Sequence, residues 1–166
     1  MQTALLPNAQ RARIAIIMIW VVLGSQIVSC ISDFLQLMLL TTVRNDYDMA
    51  TLDANDTRQT IIAVLNFGLL IASAVTFIQW FRRAYYNLHI MDNNLRFTEG
   101  WASGAWFVPI LSLFRPYQIM AEMFHVARSI LVRNLPHFQP KEHSTLLGIW
   151  WALWVINNLW GNLSAR

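Results

Sequence analysis

The chain has 166 residues, of which 56% are apolar and only 13% charged, with twelve Lys and Arg against nine Asp and Glu and a mean hydropathy of +0.40. Soluble domains run at about 45–50% apolar and about 25% charged, so this chain lacks the polar surface a water-soluble globule needs. The same arithmetic excludes intrinsic disorder and, with six scattered Gly, a collagen-like repeat. What fits is an all-α integral membrane protein. The single Cys30 excludes an intrachain disulfide and a zinc site built on several thiolates. The basic residues are dispersed and carry no aromatic-basic pattern, so no nucleic acid is expected among the partners.

A bilayer core takes about 20 apolar residues per helix. Residues 14–40 exceed that, with Arg11 and Arg13 before them and the polar stretch Thr41 to Gln59 after. Residues 60–80 form a second span, which ends in Trp80, Arg82, Arg83, Tyr85 and Tyr86, a collar suited to the headgroup level. Residues 101–114 are apolar but short, contain Pro109 and run into Arg115 and Pro116, which reads as a re-entrant segment or a broken fourth span. Residues 116–133 read as an amphipathic interfacial helix. Ile119, Met120, Met123, Phe124, Ala127, Ile130 and Leu131 lie on its apolar face, and Gln118, Glu122, His125, Arg128, Ser129 and Arg133 on its polar one. Residues 145–163 form the last span, carrying Trp150, Trp151, Trp154 and Trp160, whose indole N–H groups need partners. The expected fold is a small helical bundle in one membrane domain.

Basic residues choose between three and four spans. If the short segment crosses, Arg11, Arg13, Arg82, Arg83 and Arg96 oppose Arg44, Arg58, Arg115, Arg128, Arg133 and Lys141, which sets no orientation. If it dips in and returns, everything from Arg82 to Lys141 joins the N-terminus, leaving Arg44, Arg58 and Arg166 opposite. The positive-inside rule favours the second arrangement, with three full spans in the cell membrane and a cytoplasmic N-terminus.

Several polar residues fall inside the spans. Ser25, Gln26, Ser29, Ser32, Asp33 and Gln36 make a stripe along the first, Gln59, Asn66 and Ser73 recur a heptad apart along the second, and the last carries Asn157, Asn158 and Asn162. Such groups join helices or line a solute path, so Asp33, Gln36, Asn66 and Asn157 are the candidate seam residues. For Asp33 the alternatives are an interfacial acceptor, a partner for a buried Arg, or an ion or proton site. Gly100 and Gly104 form a GxxxG for which close packing within the chain is expected.

Catalytic chemistry has no support. Glu122 and His125 make a single E-x-x-H where a di-iron bundle needs two with further glutamates, so no metal and no cofactor are expected. His137, Glu142 and His143 read as loop residues, and no hydrolase, P-loop or dinucleotide motif occurs. Arg11, Arg13 and the run up to Cys30 look like a lipoprotein signal, but the chain stays apolar through Leu40, which suits an uncleaved span.

The order of Trp80-Phe81-Arg82-Arg83-Ala84-Tyr85-Tyr86-Asn87-Leu88, Leu95-Arg96-Phe97, Gly100-Trp101-Ala102, Trp106 to Ile110, Arg115-Pro116-Tyr117-Gln118 and Leu146 to Trp154 resembles the bacterial membrane family called domain of unknown function 4328. The resemblance covers nearly all of the chain and implies a multi-pass membrane protein; it supplies no activity, ligand or catalytic residue. Glu99 and Ser112 stand where the family usually has Pro and Asn, and members continue into further apolar helices beyond the equivalent of Arg166, so a short or truncated homologue is expected. Proline interrupts hydrogen bonding between Pro109 and Gln118, and broken backbone at membrane depth must be satisfied. Arg83 and Asn87, with Gln118 and Tyr117 nearby, are the expected caps of that break. Two roles follow: a structural or accessory subunit acting through helix contacts with other membrane proteins or a second copy, or a small transporter or channel-type subunit.

Overall fold

The computed structural model describes residues 5–42, 49–92, 94–135, 137 and 144–164. It is helical throughout, with no strand among the described residues: α1 (Ala9–Thr42), α2 (Met49–Met91), α3 (Trp101–Gly104), a 3-10 turn (Leu111–Leu113), α4 (Arg115–Asn134) and α5 (Ser144–Ser164). Two helices, α1 and α2, are long and apolar enough to cross a membrane. In α5 the apolar stretch with described side chains is Thr145–Asn157.

α2 corrects one expectation. It has 43 residues and starts at Met49, so most of the stretch read as a polar linker up to Gln59 is helical. At 1.5 Å per residue it is about 65 Å long, twice what a hydrocarbon core of about 30 Å accommodates. The polarity of its first turns is not loop polarity: Arg58 and Gln59 donate to the Ser32 carbonyl of α1, Gln59 also to Gln36, and Asn55 accepts from Arg58.

The chain forms two compact units, Pro7–Trp80 and Met1–Leu6 with Phe81–Arg166. In the first, α1 and α2 run antiparallel. Beside the half-buried Arg11 and Ala12 of α1 and Arg58, Phe77 and Ile78 of α2, a regular stripe of buried or half-buried positions runs along each helix: Ala15, Met18, Val22, Ser25, Ser29, Ser32, Gln36 and Leu39 of α1, and Leu52, Asn55, Gln59, Ile62, Asn66, Leu69, Ser73, Thr76 and Trp80 of α2. Both sets alternate steps of three and four, the period of a coiled-coil seam. Asn8 sits at the head of α1, where its carbonyl accepts the Ala12 N–H at 3.0 Å and its amide donates to the Trp80 carbonyl at 3.3 Å. The Arg11 guanidinium donates to the Gln79 carbonyl at 3.3 Å.

The second unit packs Phe81, Tyr85 and Leu88 of α2 with Ala102, Ala105, Ile119, Met120 and Trp151. Pro116 lies buried in the first turn of α4, where a missing N–H costs no helical bond. The GxxxG expectation is corrected: a Cβ on Gly100 or Gly104 would meet open space, whereas Ala102 and Ala105 are fully buried. The alanines, not the glycines, are the small residues that packing requires. α4 is amphipathic as expected, but Phe124, Leu131 and Val132 on its later turns are exposed.

Candidate functional site

Between α1 and α2 the polar groups face inward and the apolar ones outward. Asn66 donates from Nδ2 to the Ser29 hydroxyl. About two turns further on, Gln59 Nε2 donates to Gln36 Oε1 at 2.6 Å and to the Ser32 carbonyl at 3.3 Å. The Arg58 guanidinium reaches that same carbonyl at 3.4 Å and Asn55 Oδ1 at 2.6 Å. Ile16, Ile17, Trp20, Leu23, Ile27, Val28, Ile31, Phe34 and Leu35 of α1, and Ile61, Val64, Leu65, Phe67, Leu70 and Ile71 of α2, are all exposed. A water-soluble pair with this spacing would be patterned the other way round.

Gln36 and Asn66 therefore lie in the seam as the spacing suggested. Asp33 does not: it is exposed on α1, one residue round the helix from the buried Ser32, and Arg58 binds the Ser32 carbonyl instead of pairing with it. A step of one residue turns about 100°, enough to take a side chain off a narrow stripe. Asn157 is exposed on α5 in the other unit, and the side chains of Asn158 and Asn162 lie outside the described residues. Cys30 is exposed in the middle of the unbroken α1.

In the second unit a carboxylate that sequence reasoning left on the polar face of α4 organises the surroundings. Glu122 accepts the backbone N–H of Arg96 at 2.7 Å on Oε1 and the Tyr85 hydroxyl at 2.8 Å on Oε2. The Phe97 carbonyl lies 3.0 Å from the same hydroxyl and shares its single proton. Burial and then the adjacent Glu122 push the Tyr85 phenol well above its ordinary range, so it stays a donor. One carboxyl group thus ties α2, the loop after it and α4 together. His125, the other half of the E-x-x-H, is exposed.

At the break between α3 and α4, Ser112 and Trp151 supply hydrogen bonds. Ser112 donates its N–H to the Val108 carbonyl at 2.8 Å and its hydroxyl to the Pro109 carbonyl at 2.7 Å. The Leu113 carbonyl accepts the Trp151 indole N–H at 2.9 Å. Asn87, expected at the break, instead clasps the N-terminal segment: its Oδ1 accepts the Leu6 N–H at 2.9 Å and its Nδ2 donates to the Leu6 carbonyl at 2.7 Å. A primary amide matches a peptide group on both edges, which explains the preference. Gln118 is exposed on α4, Arg83 half-buried on α2, and Tyr117 rests against Trp151 at 6.1 Å between ring centroids. Trp151 also stacks on Trp154 at 4.7 Å and meets Trp106 edge-on at 6.1 Å.

Arg115, the first residue of α4, lies among aromatic rings. Its guanidinium carbon is 4.7 Å from the Phe97 ring centre, 5.5 Å from Trp101 and 6.0 Å from Phe114. Its Nε is buried without a hydrogen-bond partner. The exposed Arg96 approaches the same Phe97 ring at 5.8 Å.

The sequence model of a family described as "Domain of unknown function (DUF4328)" matches residues 44–166. No curated protein and no solved structure matches the chain.

Proposed function

Because the chain belongs to the DUF4328 family and builds its first two helices inside out, we propose that it is a multi-pass protein of the cell membrane. Its role in this reading is structural or accessory, exercised through helix contacts with other membrane proteins or a second copy. The observation that carries the reading is the seam itself: Ser29, Ser32 and Gln36 pair with Arg58, Gln59 and Asn66 while the apolar side chains point outward. In lipid that is the low-energy arrangement, because exposed apolar groups cost nothing there and polar groups must find partners. α1, α2 and α5 are the three spans, residues 101–114 re-enter without crossing, and α4 lies at the interface. The basic residues between Arg82 and Lys141 favour a cytoplasmic N-terminus.

Affinity isolation from native membranes, followed by intact-complex mass measurement, tests the role. A stoichiometric protein partner or a defined homo-oligomer supports it, and a monomer without protein partners counts against it. Tags at residue 1 and between residues 43 and 48 should report opposite sides of the membrane.

A second reading, a small transporter or channel-type subunit, draws on one observation. Ser32 Oγ and Arg58 Nε are buried in the seam without hydrogen-bond partners, as polar groups along a solute path would be. Flux through proteoliposomes that is lost in Arg58→Gln would favour it over the accessory role.

A further inference from the structure

We propose that Arg96 and Arg115, held on the ring of Phe97, form a binding site for a phosphate group, supplied by the headgroup of an acidic phospholipid. Two guanidinium groups converge on one ring, at 4.7 Å and 5.8 Å from its centre. Two positive charges gathered at one ring repel, and an anion that binds both offsets that repulsion.

The acids nearby are otherwise engaged. Glu122 binds the backbone N–H of Arg96 and the Tyr85 hydroxyl, and Glu99 pairs with Arg82 at 3.6 Å. Neither Arg96 nor Arg115 has a carboxylate within ion-pair distance among the described residues. Arg115 also opens α4, whose first turn contains no acidic residue and no side-chain cap. The positive end of a helix disfavours a cation there unless an anion accompanies it.

The aromatic contacts explain how the site is kept in shape. Phe97, Trp101 and Phe114 surround the Arg115 guanidinium, and its buried Nε–H finds no acceptor among the described residues. Cation–π contact stabilises the charge and orients the planar fork without satisfying its donors. A guanidinium presented in this way matches the paired oxygens of a phosphate. The exposed Arg96 supplies the second contact. The phosphate chemistry stands without the proposed membrane role; the assignment of its source to a lipid rests on that role.

The test uses the full-length protein in a mild detergent, with bound ligand read by native mass measurement after addition of phosphatidylglycerol, phosphatidylcholine or inorganic phosphate. Phosphatidylglycerol should be retained in preference to phosphatidylcholine, and both Arg96→Gln and Arg115→Gln should weaken its retention roughly tenfold, the scale of one charge-assisted pair. Arg82→Gln, which removes an exposed charge paired with Glu99, should leave retention unchanged. If inorganic phosphate binds with the same dependence on Arg96 and Arg115 while neither lipid is retained, the phosphate site stands and its lipid source is overturned. If Arg115→Gln fails to fold, the exposed Arg96 decides. Retention of every ligand unchanged in Arg96→Gln, or reduced equally in Arg82→Gln, would overturn the proposal.

Discussion

The indole N–H of Trp151 donates to the carbonyl of Leu113 at 2.9 Å, joining α5 to the interrupted backbone 38 residues earlier. Trp151 is 7% exposed and the carbonyl lies just before α4, past the proline that stops regular helix from forming. Replacing Trp151 with Phe preserves an aromatic ring for Trp106 and Trp154 but removes the donor. An unsatisfied buried carbonyl costs about 1–3 kcal/mol, and unfolding in detergent should show a loss of that size. Trp150→Phe, at a 44% exposed neighbour, should change stability by less than about 0.5 kcal/mol. Equal losses in the two variants would mean that the indole mass, and not the hydrogen bond, holds the break.

Tyr85 and Glu122 should behave as a coupled pair. Tyr85→Phe removes the hydroxyl at 2.8 Å from the carboxylate, and Glu122→Gln removes the charge that binds both Tyr85 and Arg96. A double-mutant cycle in unfolding free energy should give an interaction of about 1–2 kcal/mol, and additivity would argue against direct coupling. The phenol is raised above its ordinary value of 10.0 in the folded state, so the folded chain holds this proton more tightly than the unfolded one. Its contribution is complete below about pH 10 and falls as pH rises through the folded value, the group being buried outside the 60–80 span. Tyr85→Phe should therefore flatten part of the alkaline loss of stability.

What could be read in advance depended on whether partners lie one turn or one fold apart. The Ser25, Ser29, Ser32, Gln36 spacing displays the seam directly, because a helix turns adjacent-turn neighbours to the same side. The stripe was drawn too wide by including Gln26 and Asp33, which are exposed. The first turns of α2 are obscured for the opposite reason: Asn55 and Arg58 look like loop polarity until α1 is placed against them, while Gln59 follows the heptad of Asn66 and Ser73. Glu122 gave a misleading local pattern with His125, while its actual partners, Tyr85 and Arg96, are 37 and 26 residues away. Asn87 was assigned to the break because its partner Leu6 lies 81 residues away, with no periodicity to connect them.

Glycine and alanine around α3 should respond in opposite senses. A Cβ on Gly100 or Gly104 meets nothing within 4 Å, so Gly104→Ala should be neutral or stabilising by up to about 1 kcal/mol through helix propensity. Ala102 and Ala105 are fully buried, and Ala102→Leu should cost about 1–3 kcal/mol by overpacking. Thermal unfolding of these two variants distinguishes this pattern from a GxxxG contact, in which Gly104→Ala would be the damaging change.

The seam makes a sharper distinction between two serines three residues apart. Ser29 accepts the Asn66 amide, whereas the hydroxyl of Ser32, 3% exposed, has no hydrogen-bond partner even though its own carbonyl receives Arg58 and Gln59. Ser29→Ala leaves an amide donor unpaired between two helices and should cost about 0.6–1.7 kcal/mol, the range of interhelical hydrogen bonds in membranes. Ser32→Ala removes a buried polar atom that gains nothing from the protein while leaving the backbone carbonyl in place, so it should be neutral or stabilising. Reversible unfolding in mixed micelles reads both. A cost for Ser32→Ala as large as that for Ser29→Ala would mean that its hydroxyl holds a partner, such as a water or an ion in the seam, and would shift the balance toward the transport reading.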